Sequence, residues 1–107
     1  MKPMRTFLRA KIHGAIVTGI QPDYEGSIAL GPELMHQVGI KKYEQVYIYN
    51  PRTGSVHTTY ALKGEPGMVE GRGASARRME IGDSLIICCY GQYPDEGPFP
   101  KPSQIVL

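Results

Sequence analysis

Few residues in this chain have the types and spacing that chemistry requires. Lys11-x-His13 sets a cation and an imidazole two residues apart, hence on one face of a shared strand. Tyr24-Glu25-Gly26-Ser27 places a hydroxyl nucleophile directly after a glycine, whose missing Cβ leaves the preceding carbonyl open to attack. Thr59-Tyr60 adds a second hydroxyl and a phenol. Each also has an ordinary reading. Gly-Ser is a common turn, Lys11 and His13 suit a solvated sheet edge, and Thr58 and Thr59 are plain strand formers. Tyr60 suits a half-buried sheet position, and Tyr24 can pack under its own turn. Beyond these residues there is no Cys/His metal spacing, no phosphate-binding glycine loop before a helix and no nucleophile elbow.

The elements that must position these groups are short. Thirteen glycines and nine prolines break the chain every eight to twelve residues, which predicts a mainly β barrel or sandwich. Phe7, Arg9, Lys11 and His13 alternate with Leu8, Ala10 and Ile12, the period of a two-faced strand. Gly14 breaks that pattern, so Ala15–Thr18 is expected to begin a second strand, with Ser27–Leu30 a third. The single helix is expected over Pro32–Val38, with proline at its start, Glu33 at the positive end of its dipole and Gly39 as its stop. His36 should be solvated there. Glu44–Tyr49 and Ser55–Leu62 read as a hairpin around Asn50-Pro51-Arg52-Thr53-Gly54. Ser84–Tyr90 hardly alternates, as a strand buried on both faces would. The proline-rich tail from Pro94 is expected to be irregular.

A chain of 107 residues, 41% apolar and 21% charged, fits one globular domain and excludes a disordered tail. It lacks the 18-residue apolar run of a membrane span and opens without a signal-peptide pattern. A net charge of +2 is too mild to argue for nucleic acid. Cys88 and Cys89 are neighbours, so strand geometry points them to opposite faces. Two buried thiols in a reducing cytoplasm are expected, with neither disulfide nor metal.

Taken in order, Lys11-x-His13, Tyr24-Glu25-Gly26-Ser27, Thr58-Thr59-Tyr60-Ala61, Gly73-Ala74-Ser75-Ala76 and Ile81-Gly82-Asp83 form a more specific set than any one of them. With Glu33-Leu34-Met35 and Pro94-Asp95-Glu96, the set resembles the aspartate 1-decarboxylase family from about Met4 to Glu96. That resemblance implies a small six-stranded double-psi β-barrel with one short helix, assembled as a homotetramer with sites between subunits. It also implies a precursor that cleaves itself between Gly26 and Ser27 into chains 1–26 and 27–107. Ser27 Oγ would attack the Gly26 carbonyl, and elimination and hydrolysis would leave a covalent pyruvoyl group at position 27, with no metal and no pyridoxal phosphate. Its ketone would form a Schiff base with a small amino acid and accept the electrons released with CO₂. Strain of about 1–3 kcal/mol in the turn and about 3–4 kcal/mol from one oxyanion donor would together accelerate the cleavage by about 10³- to 10⁵-fold.

By the same resemblance, Tyr60 supplies the proton that replaces CO₂ and Thr59 stabilises the oxyanion. His13 and Tyr24 order the precursor, while Lys11, Arg72, Gly73 and Ala74 bind substrate. The family's substrate-binding arginine is replaced here by Val56, a loss that valine cannot make good. Arg52 or Arg72 could compensate. The family's hairpin tryptophan is Tyr49, and its Asn-Gly-Ala-Ala is Arg72-Gly73-Ala74-Ser75. These departures surround the substrate and leave open a different amino acid. A third possibility is a non-processing binding module whose Arg72, Arg77 and Arg78 meet an acidic partner or nucleic acid.

Overall fold

The computed structural model describes residues 2–107. Its elements are β1 (Met4–Ile16), β2 (Gly19–Gln21), β3 (Ser27–Leu30), α1 (Pro32–Val38), β4 (Gln45–Asn50), β5 (Ser55–Lys63), β6 (Val69–Arg72), a 3-10 segment (Gly73–Arg78), β7 (Ser84–Pro94) and β8 (Ser103–Val106). The strands form one ladder in the order β2-β6-β3-β5-β4-β7-β1-β8. β3 lies parallel to β5 and antiparallel to β6, so the chain crosses over rather than meandering. The fold is mainly β with one short helix, as expected. Eight strands take part instead of six, and the additional pair, β2 and β8, occupies the two ends of the ladder.

Gly14 does not end a strand. It adopts φ 86 at a bulge, and β1 continues through Ala15 to Ile16, still paired with β7. One residue is accommodated there by the left-handed backbone that glycine tolerates. Thr18 lies outside the strand, and the expected Ala15–Thr18 strand is therefore the end of β1. The tail is also more regular than its prolines suggested. Past Pro102 it runs parallel to β1, with Lys11 opposite Gln104 and His13 opposite Val106. Lys11 and His13 thus lie on an inner strand, flanked by β7 and β8, and not on a sheet edge.

The inward faces of the central strands supply the core: Ile12, Ile28, Leu30, Ile48, Leu85 and Ile87 have no exposed surface. Each such side chain contributes about 1.5–3 kcal/mol by leaving water. Cys88 and Cys89 are both buried and unpaired, on the stretch of β7 expected to be covered on two faces. The helix matches its predicted bounds. Gly39, at φ 72, closes it, and Ile40 N–H returns to Met35 O at 2.9 Å. His36 is exposed. Glu33 does more than face the dipole, since its carboxylate accepts the Gly67 N–H at 2.6 Å and ties the β5–β6 loop to the helix.

Candidate functional site

The start of β3 is where the reactive candidates meet. Ser27 is fully buried, although Gly26 before it is exposed. Across the antiparallel pair Ser27 faces Arg72. On its other side the parallel register sets Ile28 beside Ala61, so Tyr60 precedes that pair on β5 as Ser27 precedes it on β3. Adjacent strands lie about 4.8 Å apart, within side-chain reach. The Ser27 hydroxyl donates only a stretched 3.4 Å contact to the Glu25 carbonyl, so its oxygen is nearly uncommitted.

Gly73 explains how the turn is held. Its φ is +63, and a Cβ placed on it would lie 2.6 Å from both N and Cα of Gly26 and 2.7 Å from the Tyr24 carbonyl oxygen. The 3-10 segment therefore presses backbone to backbone on the Gly26 turn, which only glycine permits. Ala74 N and Arg72 O lie 3.9 Å from the Cβ position of Gly26. Arg72 spans the mouth of this cradle. Its Nε donates to Glu70 Oε1 at 2.9 Å, and its guanidinium carbon stands 5.6 Å from the centre of the Tyr24 ring. Tyr24 is exposed beneath that guanidinium and not tucked under its own turn.

Lys11 and His13 are elsewhere. Strands β5, β4 and β7 separate them from β3 in the ladder. Lys11 shares a groove of about 290 Å³ with Leu8, Tyr49, Ile86, Cys88 and Tyr90. Tyr49 and Tyr90 share a 2.7 Å hydrogen bond, which with desolvation raises the Tyr90 phenol far above its ordinary range. Burial pushes the Cys88 thiol up and the Cys89 thiol up to about 12, so neither is a reactive thiolate at neutral pH. Val56, cross-strand from Tyr49 and half-exposed, brings no charge to this face.

Two features escape a sequence reading. His57 Nε2 lies 3.0 Å from Ser75 Oγ, joining β5 to the 3-10 segment. Burial, and then the charge of Arg78, lower the His57 pKa. Asp83, nearly buried, receives Arg52 Nε at 2.6 Å, Arg52 Nη2 at 3.0 Å, Asn50 Nδ2 at 2.9 Å and the Glu80 N–H at 2.9 Å. Arg52 is thereby committed to the hairpin turn, and Arg72 remains as the cation beside Ser27. The signal for the His57 bond was a serine at position 75, visible as a departure but without a partner in the sequence. Among the described residues no three His, Cys, Asp or Glu side chains gather as a metal site, and no helix is long and apolar enough to cross a membrane.

A sequence model described as aspartate decarboxylase matches residues 3–107. The chain belongs to the aspartate decarboxylase family. It is 46% identical over 85 residues to an aspartate 1-decarboxylase of Alkalilimnicola ehrlichii, covering 78% of this chain and 68% of that protein. The aspartate 1-decarboxylase of Pseudomonas fluorescens is 46% identical over 90 residues, 82% of this chain and 71% of the relative. That of Thioalkalivibrio sulfidiphilus is 44% identical over 93 residues, 85% of this chain and 74% of the relative. Family membership assigns the crossed β ladder to the double-psi barrel and makes the chain a carboxy-lyase. Val56 and Arg72 are positions at which the chain departs from the pattern expected of that family, Val56 opposite Tyr49 and Arg72 opposite Ser27.

Proposed function

We propose that this chain cuts itself between Gly26 and Ser27 and, once matured, decarboxylates L-aspartate to β-alanine. The observation that carries the proposal is the seat of Gly26 against Gly73, with a buried and nearly unbonded Ser27 hydroxyl beside it. Ser27 Oγ attacks the Gly26 carbonyl; the C–O bond forms, the C–N bond breaks, and the hydroxyl proton passes to the freed amine. Loss of the Ser27 Cα proton expels the Gly26 carboxylate. Water then displaces the nitrogen as ammonia, leaving a ketone at the head of chain 27–107 and a free chain 1–26. Thr59, next to Tyr60 on the strand that pairs with β3, suits a donor to the oxyanion of the first step. Tyr24 orders the turn through its contact with Arg72, and His13, on β1 with Lys11, would reach the site only from a neighbouring subunit.

The residues present fit the pyruvoyl group that this chemistry makes. It would occupy the buried Ser27 position, between Arg72 and Tyr60 and against the backbone of Gly73 and Ala74. The group supplies an electrophilic carbonyl that condenses with the substrate amine and draws off the electron pair released with CO₂, without metal or pyridoxal phosphate. Arg72 holds the substrate's side-chain carboxylate with the terminal nitrogens that Glu70 leaves free. The Tyr60 phenol delivers one proton to the substrate α-carbon. Lys11 also binds substrate, and a homotetramer in which one subunit's Lys11 groove faces another's Ser27 would bring the two together. Shared walls would keep water from a pocket that this small chain cannot enclose alone. The enzyme is assigned to the cytoplasm, where its two free thiols stay reduced.

Val56 supports a second reading, in which the substrate is an amino acid without an acidic side chain. Denaturing mass spectrometry tests the cleavage. Two fragments are expected, the larger reactive to hydroxylamine or borohydride, and Ser27→Ala should remain one intact chain. A wild-type protein that stays whole at 11.8 kDa would overturn the self-processing reading and leave a binding module. CO₂ release from aspartate, compared with alanine and other amino acids, decides the substrate. Aspartate turnover no greater than that of the others would remove the aspartate assignment.

A further inference from the structure

The His57–Ser75 bond has no part in the chemistry above, yet it anchors the segment on which that chemistry depends. The 3-10 segment begins at Gly73, which packs on Gly26, and it is fixed to the barrel at two places. Its far end is held by Asn50, whose Nδ2 donates to Arg78 O at 3.1 Å and to Asp83. Nearer the Gly26 turn it is held by Ser75, two residues past Gly73 and buried, through His57 at 3.0 Å. The other ring nitrogen, Nδ1, is buried and has no partner among the described residues. An orphaned N–H is rarer in folded proteins than an orphaned acceptor, so the favoured tautomer carries its hydrogen on Nε2 and donates to Ser75 Oγ.

We propose that His57 and Ser75 are positioning residues for self-cleavage: their hydrogen bond sets the Gly73–Ala74 backbone against Gly26 and so fixes the carbonyl in the path of Ser27 Oγ. This rests on the self-cleavage reading and adds to it a pair of residues that touch neither the reacting bond nor the substrate. A loosened clamp lets the 3-10 segment drift from the turn. Misplacement of reacting groups by about 1 Å costs on the order of 10²-fold in rate.

The test follows the cleavage half-time of freshly made precursor by denaturing mass spectrometry, with thermal midpoint measured on the same samples. His57→Phe and Ser75→Ala should each slow cleavage by about 10- to 100-fold, with the double variant no slower than the worse single one. His57→Gln, which restores an N–H donor, should recover most of the rate. Asp83→Asn loosens the far anchor and should lower the thermal midpoint while leaving the half-time near wild type. Wild-type half-times in both His57→Phe and Ser75→Ala, or equal slowing by Asp83→Asn, would overturn the proposal while self-cleavage stands. A wild-type precursor that never cleaves would instead remove the reading beneath it. Ser75→Ala deletes a single oxygen, so it serves if His57→Phe fails to fold.

Discussion

Substituting alanine at Gly73 puts the cradle to its most direct test. The new Cβ would stand 2.6 Å from Gly26 N and Cα and 2.7 Å from the Tyr24 carbonyl oxygen, and all three neighbours are backbone that cannot swing aside. Comfortable carbon contacts begin near 3.5 Å, so the turn and the 3-10 segment must separate by roughly 1 Å. The residue must also hold φ +63, a left-handed conformation that costs a Cβ-bearing residue roughly 1–2 kcal/mol. Overpacking adds about 1–3 kcal/mol, giving a loss of about 2–5 kcal/mol from a fold whose whole stability is on the order of 5–15 kcal/mol. The displacement falls on the carbonyl that Ser27 attacks, so self-cleavage should slow by at least about 10²-fold. Gly54→Ala is the matched control. Gly54 has φ +74 but open space around its Cβ position, so only the conformational cost applies. Precursor decay by mass spectrometry and urea unfolding of both variants supply the numbers. If Gly73→Ala cleaves within twofold of wild type, or loses no more stability than Gly54→Ala, the cradle has no bearing on the turn.

Two further outcomes follow from single side chains. Val56→Arg restores a fork on a half-exposed position beside Tyr49 and should lower KM for aspartate by about 10- to 100-fold, the equivalent of a charge-assisted bond worth about 1.5–3 kcal/mol. KM for alanine should not move; a fall for both would show general improvement and not carboxylate recognition. Asp83 titrates far below its ordinary value of 3.8, because Arg52 and then Asn50 and the Glu80 N–H bond its charged form against the cost of burial. A depressed folded pKa contributes stability that is complete above the unfolded value and lost as pH falls through the folded one. Thermal midpoints of wild type and Asp83→Asn should therefore differ at pH 7 and converge in strong acid, and a gap independent of pH would refute the linkage.

What the sequence made legible was what local punctuation dictates. Pro32 and Gly39 bound the helix at its observed limits, and the Asn50–Gly54 turn set the hairpin within a residue. Strands of three or four residues have no period of their own; β2 and β6 also lack an apolar run such as Ile28–Leu30, and β8 follows four prolines, so all three were missed. Gly19–Gln21 is a strand only because Glu70–Arg72 lies beside it. Gly14 was misjudged because a bulge and a break ask the same of a glycine, and only pairing of Ala15 with Leu85 separates them. The site was legible through the family likeness, as an ordered set of motifs. Its electrostatics were not, since nothing along the chain says that Arg52 is bound to Asp83, thirty-one residues away, while Arg72 keeps free donors next to Ser27.

Arg72 opposite Ser27, with valine at position 56, constrains which carboxylate the proposed site could grip. Decarboxylation removes a negative charge from one end of the substrate as CO₂ departs. A cation paired with that leaving carboxylate would stabilise the ground state more than the transition state and would slow the reaction. Arg72 stands directly across from Ser27, where it could reach either carboxylate of a bound aspartate, so its location alone would permit the unhelpful pairing. Its tethering limits that freedom. Glu70 fixes Nε and Tyr24 lies under the guanidinium plane, so only the terminal nitrogens face outward. A guanidinium held in that way binds a carboxylate end-on at one place and cannot follow the substrate. Placed on the side-chain carboxylate, it leaves the reacting carboxylate unpaired with that cation, so loss of its charge is not opposed. Arg72→Lys keeps the charge but loses the planar fork, so on this geometry it should raise KM for aspartate while kcat is preserved. A fall in kcat at constant KM would place the guanidinium on the wrong end of the substrate.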